Sequence, residues 1–206
     1  ADGAAPLGEA LARDADAGVR ETAAWALGTL DRRADPAPLV AAVQRDADEE
    51  VRETAAWALG EIGDRATAEV LGRVAEQDRS AQVRGTAAWA IGQMRVEGRR
   101  APAGLLKLLR DDAEEVRLKA AWALGQVGDS AAIGPVRDAL RAEGDDQVRR
   151  ALVRALFASG GRSEGAMEEL LKSDDPTVRE AAVRGLVGRR AFDPWPWPQP
   201  RPRPFP

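Results

Sequence analysis

The chain is predicted to be an all-α solenoid of six helix pairs followed by an extended polyproline-II tail, and three observations carry that prediction. The dipeptide Val-Arg recurs at Val19, Val51, Val83, Val116, Val148 and Val178, with spacings of 32, 32, 33, 32 and 30 residues. A tryptophan recurs in the same frame at Trp25, Trp57, Trp89 and Trp122, inside a block reading VR..AAWA(L/I)G. The segment Asp193–Pro206, DPWPWPQPRPRPFP, places a proline at every second position. A fixed period of this length marks an array of one supersecondary unit. Alternating proline forbids both helix and sheet ladder and favours polyproline II. Residues 1–188 are therefore read as the repeat array and 189–206 as the tail.

Each unit reads as a short first helix, an acidic turn, and a second helix opening on Val-Arg. The first helices are expected over Pro6–Asp14, Pro36–Asp46, Ala66–Asp78, Ala101–Asp111, Ser130–Ala142 and Ser163–Lys172. Pro6, Pro36 and Pro102 are read as first-turn residues, where a missing N–H does no harm. The pairs Asp14/Asp16, Asp46/Asp48, Asp111/Asp112 and Asp174/Asp175 fall in the turns and can cap the second helices. Gly63, Gly128 and Gly160 stand where several second helices should stop. The last two units drift to VRRALVRALF and VREAAVRGLV, as terminal units do.

The recurring VR..AA.ALG.(I/V)GD pattern, six times between residues 5 and about 188, resembles the HEAT-repeat family, in the short form found in bilin-lyase-like proteins. That resemblance implies antiparallel helix pairs stacked into a curved rod, with the second helices lining its concave side. It carries the fold only, because nothing in the chain matches a chromophore-handling site. A narrower resemblance joins the blocks reading VRETAAWALG to the Pro/Trp/Arg-rich end. Together they look like the C-terminal repeats of bacterial membrane-embedded zinc metallopeptidases of the antibiotic-sensor type. The protease part is absent, since its HExxH helix needs histidine and the chain has none. This second likeness implies an extracellular or cell-envelope location, and with alanine at residue 1 it reads the chain as a processed product or a piece of something longer.

At about 100° per residue, Val19, Ala23, Ala26, Leu27 and Leu30 form the core stripe of the first second-helix, and Trp25 lies roughly 145° from its centre. The four tryptophans are accordingly expected as an aromatic ladder facing solvent or a ligand; the alternative is sideways packing on the neighbouring repeat. Glu21, Glu53 and Glu61 make one end of this face acidic. Lys119, Arg150, Arg154 and Arg184 make the other basic, the last two standing where earlier units have tryptophan. The arginines of Val-Arg (Arg20, Arg52, Arg84, Arg117, Arg149, Arg179) are read as structural, each pairing with a turn carboxylate, as the family resemblance implies.

The tail fits this face in pitch. Fourteen polyproline-II residues span about 43 Å, and three of them advance about 9.3 Å, close to one helix layer. Trp195, Trp197, Arg201, Arg203 and Phe205 are the side chains it could offer, the arginines toward Glu53 and Glu21 and Asp193 toward Arg154 or Arg184. Docking in cis and in trans both satisfy these charges.

Composition narrows the functions. A net charge of −4 argues against nucleic acid as the main partner. The absence of His and Cys removes the usual zinc, haem and copper ligands and every Ser–His or Cys–His nucleophile pair. Glu49/Glu50 and Glu114/Glu115 open second helices, where negative charge suits the dipole. No apolar run approaches the 18 or so residues of a membrane span, so a soluble chain without membrane insertion is expected. The reading is a non-enzyme without cofactor that assembles with itself. The Pro/Trp tail of one copy would lie in the groove of the next, giving a homo-oligomer or filament. Its alternative is a sensor or adaptor for a Pro-rich peptide or protein, with the tail as an intramolecular plug.

Overall fold

The computed structural model describes residues 4–30, 35–94, 100–160, 168 and 170–187, and the side chains of these except 177, 181 and 184–187. The tail residues Trp195, Trp197, Arg201, Arg203 and Phe205 and most of the sixth first-helix lie outside the described residues, as does the side chain of Arg184. The described residues are helical, in two compact units that divide after Met94.

Unit one holds three helix pairs: α1 (Ala4–Arg13) with α2 (Ala17–Thr29), α3 (Ala37–Arg45) with α4 (Glu49–Ile62), and α5 (Ala68–Gln77) with α6 (Ala81–Gln93). Within it α2 packs on α4 and α4 on α6, so second helices form one layer and first helices another. Unit two holds α7 (Ala103–Lys107), which tightens into a 3-10 turn at Leu108–Arg110, then α8 (Glu114–Val127), α9 (Ile133–Ala142), α10 (Asp146–Ala158) and α11 (Pro176–Val187). There α8 packs on α10, and α10 on α9 and α11. Two first helices start later than the sequence pattern indicates: 3-10 turns at Arg65–Thr67 and Ser130–Ala132, capped by Asp64 and Asp129, precede α5 and α9.

The turns explain why acidic residues come in pairs. The second of each pair caps the helix: Asp16 accepts from the Val19 amide, Asp48 from Glu50 and Val51, and Asp145 from Gln147 and Val148. The first accepts the amide two residues on, as Asp14 does from Asp16 and Asp46 from Asp48, closing the turn. Asp112 does not cap α8; Ala113 holds the N-cap position and makes no side-chain bond. Pro36 and Pro102 sit at the N-cap, one residue before the first turn expected for them. Gly63 and Gly128 close α4 and α8 with φ of 69° and 67°, a left-handed geometry in which glycine escapes the Cβ clash.

The core runs between the layers. Val51, Ala55, Leu59 and Ile62 of α4 are buried, as are Leu39 and Val43 of α3, which packs on α4, and Leu71 and Ala75 of α5, which packs on α6. A second helix in the middle of the stack meets its own first helix and a second helix on each flank, so ten of the fourteen residues of α4 are buried. In α2 the expected stripe is only partly covered: Ala23 and Leu27 are buried, while Val19 and Leu30 are 43% and 39% exposed.

Candidate peptide-binding face

The arginines of Val-Arg build the joints between repeats. Arg52 donates from Nε and Nη2 to the two carboxylate oxygens of Asp78, at 2.7 and 3.1 Å, and from Nη1 to the carbonyls of Asp46 and Ala47. Arg20 repeats this with Asp46 and with the carbonyls of Asp14 and Ala15. Arg117 does so with Glu143 and with the carbonyls of Asp111 and Asp112. Arg149 reaches Asp175 at 2.9 Å. The fork geometry of guanidinium on carboxylate is what this site requires. The hydrogen bonds from Arg20 hold the Asp46 carboxyl below the usual range, despite the opposing effect of burial. Burial pushes Glu143 up, and Arg117 with the amides of Asp145 and Gly144 outweighs it, leaving this carboxyl lowered.

The tryptophans do not stand out from the stack as a free ladder. Trp57 and Trp89 are 7% and 5% exposed, while Trp25 and Trp122 are half-buried. A Cβ built on Gly28 would lie 2.9 Å from Cζ3 of Trp57, and one on Gly60 would lie 3.1 Å from Cζ3 of Trp89. Each of these two rings therefore covers the glycine of the preceding second helix. A helical wheel assigns one buried face, whereas an inner second helix has three neighbours, so a residue opposite the core stripe is buried laterally. The signal was present: glycine follows each of the four tryptophans by three residues, leaving room for the next ring.

One polar atom is left over by this packing. Nε1 of Trp57 lies across the indole from Cζ3 and is buried with no hydrogen-bond partner. Glu61, four residues on and so on the same helix face, is partly buried and holds no cation among the described residues. Burial raises its carboxyl above the ordinary glutamate range. Glu21 is also raised, by burial first and then by Glu50, although the Thr54 hydroxyl donates to it at 3.4 Å. Glu53 accepts from the Thr86 hydroxyl at 3.0 Å, so these two carboxylates also tie successive repeats.

A carboxyl raised by folding opposes stability once ionised, fully above its folded pKa and not at all below its unfolded one. Glu61→Gln should therefore stabilise the protein at pH 7 by less than about 1 kcal/mol, since the group keeps some solvent. The gain should vanish on acidification below the ordinary glutamate value of 4.5, which urea melts at pH 7 and pH 4 would check.

In unit two the basic residues behave differently from one another. Lys119 is buried and pairs with Glu115 at 2.7 Å. Arg150 is exposed and Arg154 half-buried. Among the described residues no group of three or more His, Cys, Asp or Glu could hold a metal ion, and no helix is long and apolar enough to cross a membrane.

Helix pairs in repeating register, joined by arginine–carboxylate forks and carrying an acidic, aromatic second-helix face, define an α-helical repeat protein of the solenoid class. The sequence matches the HEAT-repeat family model over residues 4–92 and 68–157, and the chain belongs to that family. Its fold is similar to that of the CpcE–CpcF complex of phycocyanin lyase from Nostoc sp. PCC7120, at 24% identity, covering 88% of this chain and 75% of that one, with a TM-score of 0.63. It is also similar to a designed armadillo repeat protein in complex with peptide (KR)4, at 21% identity, covering 93% of this chain and all of that one, with a TM-score of 0.62. No curated protein sequence matches it.

Proposed function

We propose that the chain is a non-catalytic binding scaffold whose second-helix face in unit one takes an extended, basic, proline-rich segment. The ligand is Asp193–Pro206 of a neighbouring copy, so that tail exchange produces a homo-oligomer or filament. The carrying observation is Glu61, partly buried without a cation among the described residues, on the same helix face as Trp57. Arg201 and Arg203 of the ligand would answer Glu61, Glu53 and Glu21. Trp25, half-buried, offers ring surface to proline or to Trp195, Trp197 and Phe205. The complex of a similarly folded designed protein with peptide (KR)4 supports the choice of a basic peptide. The cell envelope is the proposed setting for this binding, a reading supported by the likeness of the VRETAAWALG blocks and the Pro/Trp/Arg end to the C-terminal repeats of membrane-embedded zinc metallopeptidases.

The test titrates a synthetic Asp193–Pro206 peptide into a chain ending at residue 192. Saturable binding is expected, weakening at least about tenfold in a Glu53→Lys, Glu61→Lys variant, which corresponds to about 1.4 kcal/mol. It should also weaken on acidification, because Glu21 and Glu61 take up protons above the ordinary glutamate pH range. Binding together with a full-length chain that stays monomeric would place the tail in its own molecule instead. Absence of binding would end the reading.

A further inference from the structure

We propose that the two ends of the repeat array are complementary halves of one repeat–repeat joint, completed when a second copy of this chain stacks head to tail. The joint is defined inside unit one, where Ala58 of α4 lies against Gly28 of α2, and Ala90 of α6 against Gly60 of α4. One side of each second helix meets the preceding repeat and the other meets the following one.

Position by position, the end repeats leave open what inner repeats close. The valine that opens each second helix is at most 5% exposed at Val51, Val83, Val116, Val148 and Val178, and 43% exposed at Val19. Leu30 is 39% exposed, whereas its counterparts Ile62, Met94 and Val127 are at most 4%. On the other side of the helix, Ala24, Ala56, Ala88, Ala121 and Val153 are each 0% exposed. Their counterpart in α11 is Val183, at 50%. Val153 shows that such a joint accommodates valine at this position.

The charges divide in the same way. Asp46, Asp78 and Glu143 each receive the fork of an arginine 26 residues earlier. Asp14 holds the same place and closes the same turn onto the Asp16 amide, yet it makes no ion pair among the described residues. Arg179 donates from Nη1 to the Ser173 carbonyl, as Arg20 does to Asp14, and its other edge carries no carboxylate among the described residues. The leading face thus offers a carboxylate beside bare apolar side chains, and the trailing face offers a guanidinium beside a bare valine. Arg179 of one copy on Asp14 of the next reproduces the fork of the inner joints, and Val183 then covers the Val19 side of the neighbour. Such a contact uses unlike faces and leaves a free face at each end, so it propagates.

Sedimentation equilibrium on the full chain tests this, with excess free Asp193–Pro206 peptide present to compete out tail exchange, and with Val19→Glu blocking the leading face and Val183→Glu the trailing one. Both sites are exposed, so melting curves of the variants should match the parent. The parent's weight-average mass should rise above 22.0 kDa with concentration, while each variant alone stays at 22.0 kDa with an association constant at least tenfold lower. An equimolar mixture of the two variants should reach twice that mass and stop, because each supplies the face the other lacks. Asp14→Asn and Arg179→Gln provide a second, neutral pair should a glutamate disturb folding. A parent that stays monomeric at every concentration would overturn the proposal, as would a mixture that fails to pair. Association that persists in both variants with the peptide present would also overturn it.

Discussion

Replacing Arg52 by methionine should destabilise the protein by about 3 kcal/mol, the scale seen when one partner of a buried ion pair is removed. The side chains of Arg52 and Asp78 are 7% and 9% exposed, and the guanidinium makes four hydrogen bonds, two across the joint to Asp78 and two to the turn of its own repeat. Methionine fills the volume of the stem but leaves the Asp78 carboxylate with only the amide of Ser80 and strips the Asp46 carbonyl of its donor, while the Ala47 carbonyl keeps the bond from Nη2 of Arg79. Urea unfolding at pH 7 checks it. In a cycle with Asp78→Asn the second change should cost far less than it does alone, since the pair acts as a unit. Lysine at position 52 should recover little, because a point charge cannot fork across a carboxylate. The equivalent change at Arg20 should be milder, since that guanidinium sits at the more open end of the stack.

Gly28→Ala should destabilise by about 1–3 kcal/mol through overpacking, although the same substitution in an open helix gains about 1 kcal/mol. The added methyl would stand 2.7 Å from Cβ and 2.8 Å from Cα of Ala58, and 2.9 Å from the Trp57 ring. Backbone stands in the way, so relief requires α2 and α4 to separate. Gly125→Ala is the control, because the nearest atom to its new methyl would be Cα of Ala155 at 3.6 Å, an ordinary contact. That variant should gain up to about 1 kcal/mol from helix propensity alone. Opposite signs for two glycines in the same motif position, read from melts of the two variants, would establish close approach as the reason for glycine at position 28. Loss of stability in both would point instead to a constraint common to the motif.

Much of the architecture was legible from spacing. The Val-Arg period located the second helices, and the paired turn acids located the caps Asp16 and Asp48 and the acceptors Asp46 and Asp175. The acceptors Asp78 and Glu143 lay outside those pairs, and Asp112 makes no cap. The orientation of Trp57 and Trp89 was not legible from the helical wheel, because a wheel assigns one buried face and these helices have three. The end effects were hidden for a related reason. Val19 and Val51 are the same residue in the same motif, and their exposures of 43% and 0% differ only through what lies beside them. Glu21 and Glu61 read as surface charges, yet the rings and helices around them raise their protonation through burial.

Sequence by itself determined the repeat, the residue types at each joint, and the absence of histidine and cysteine, because these are properties of composition and period. Only the tertiary structure decided that two of the tryptophans cover glycines, that Trp57 keeps an unsatisfied N–H, and that Val19, Asp14, Arg179 and Val183 are left without the neighbours their counterparts have. Burial belongs to pairs of surfaces, and a repeating sequence writes the same surface many times without saying which copy is last.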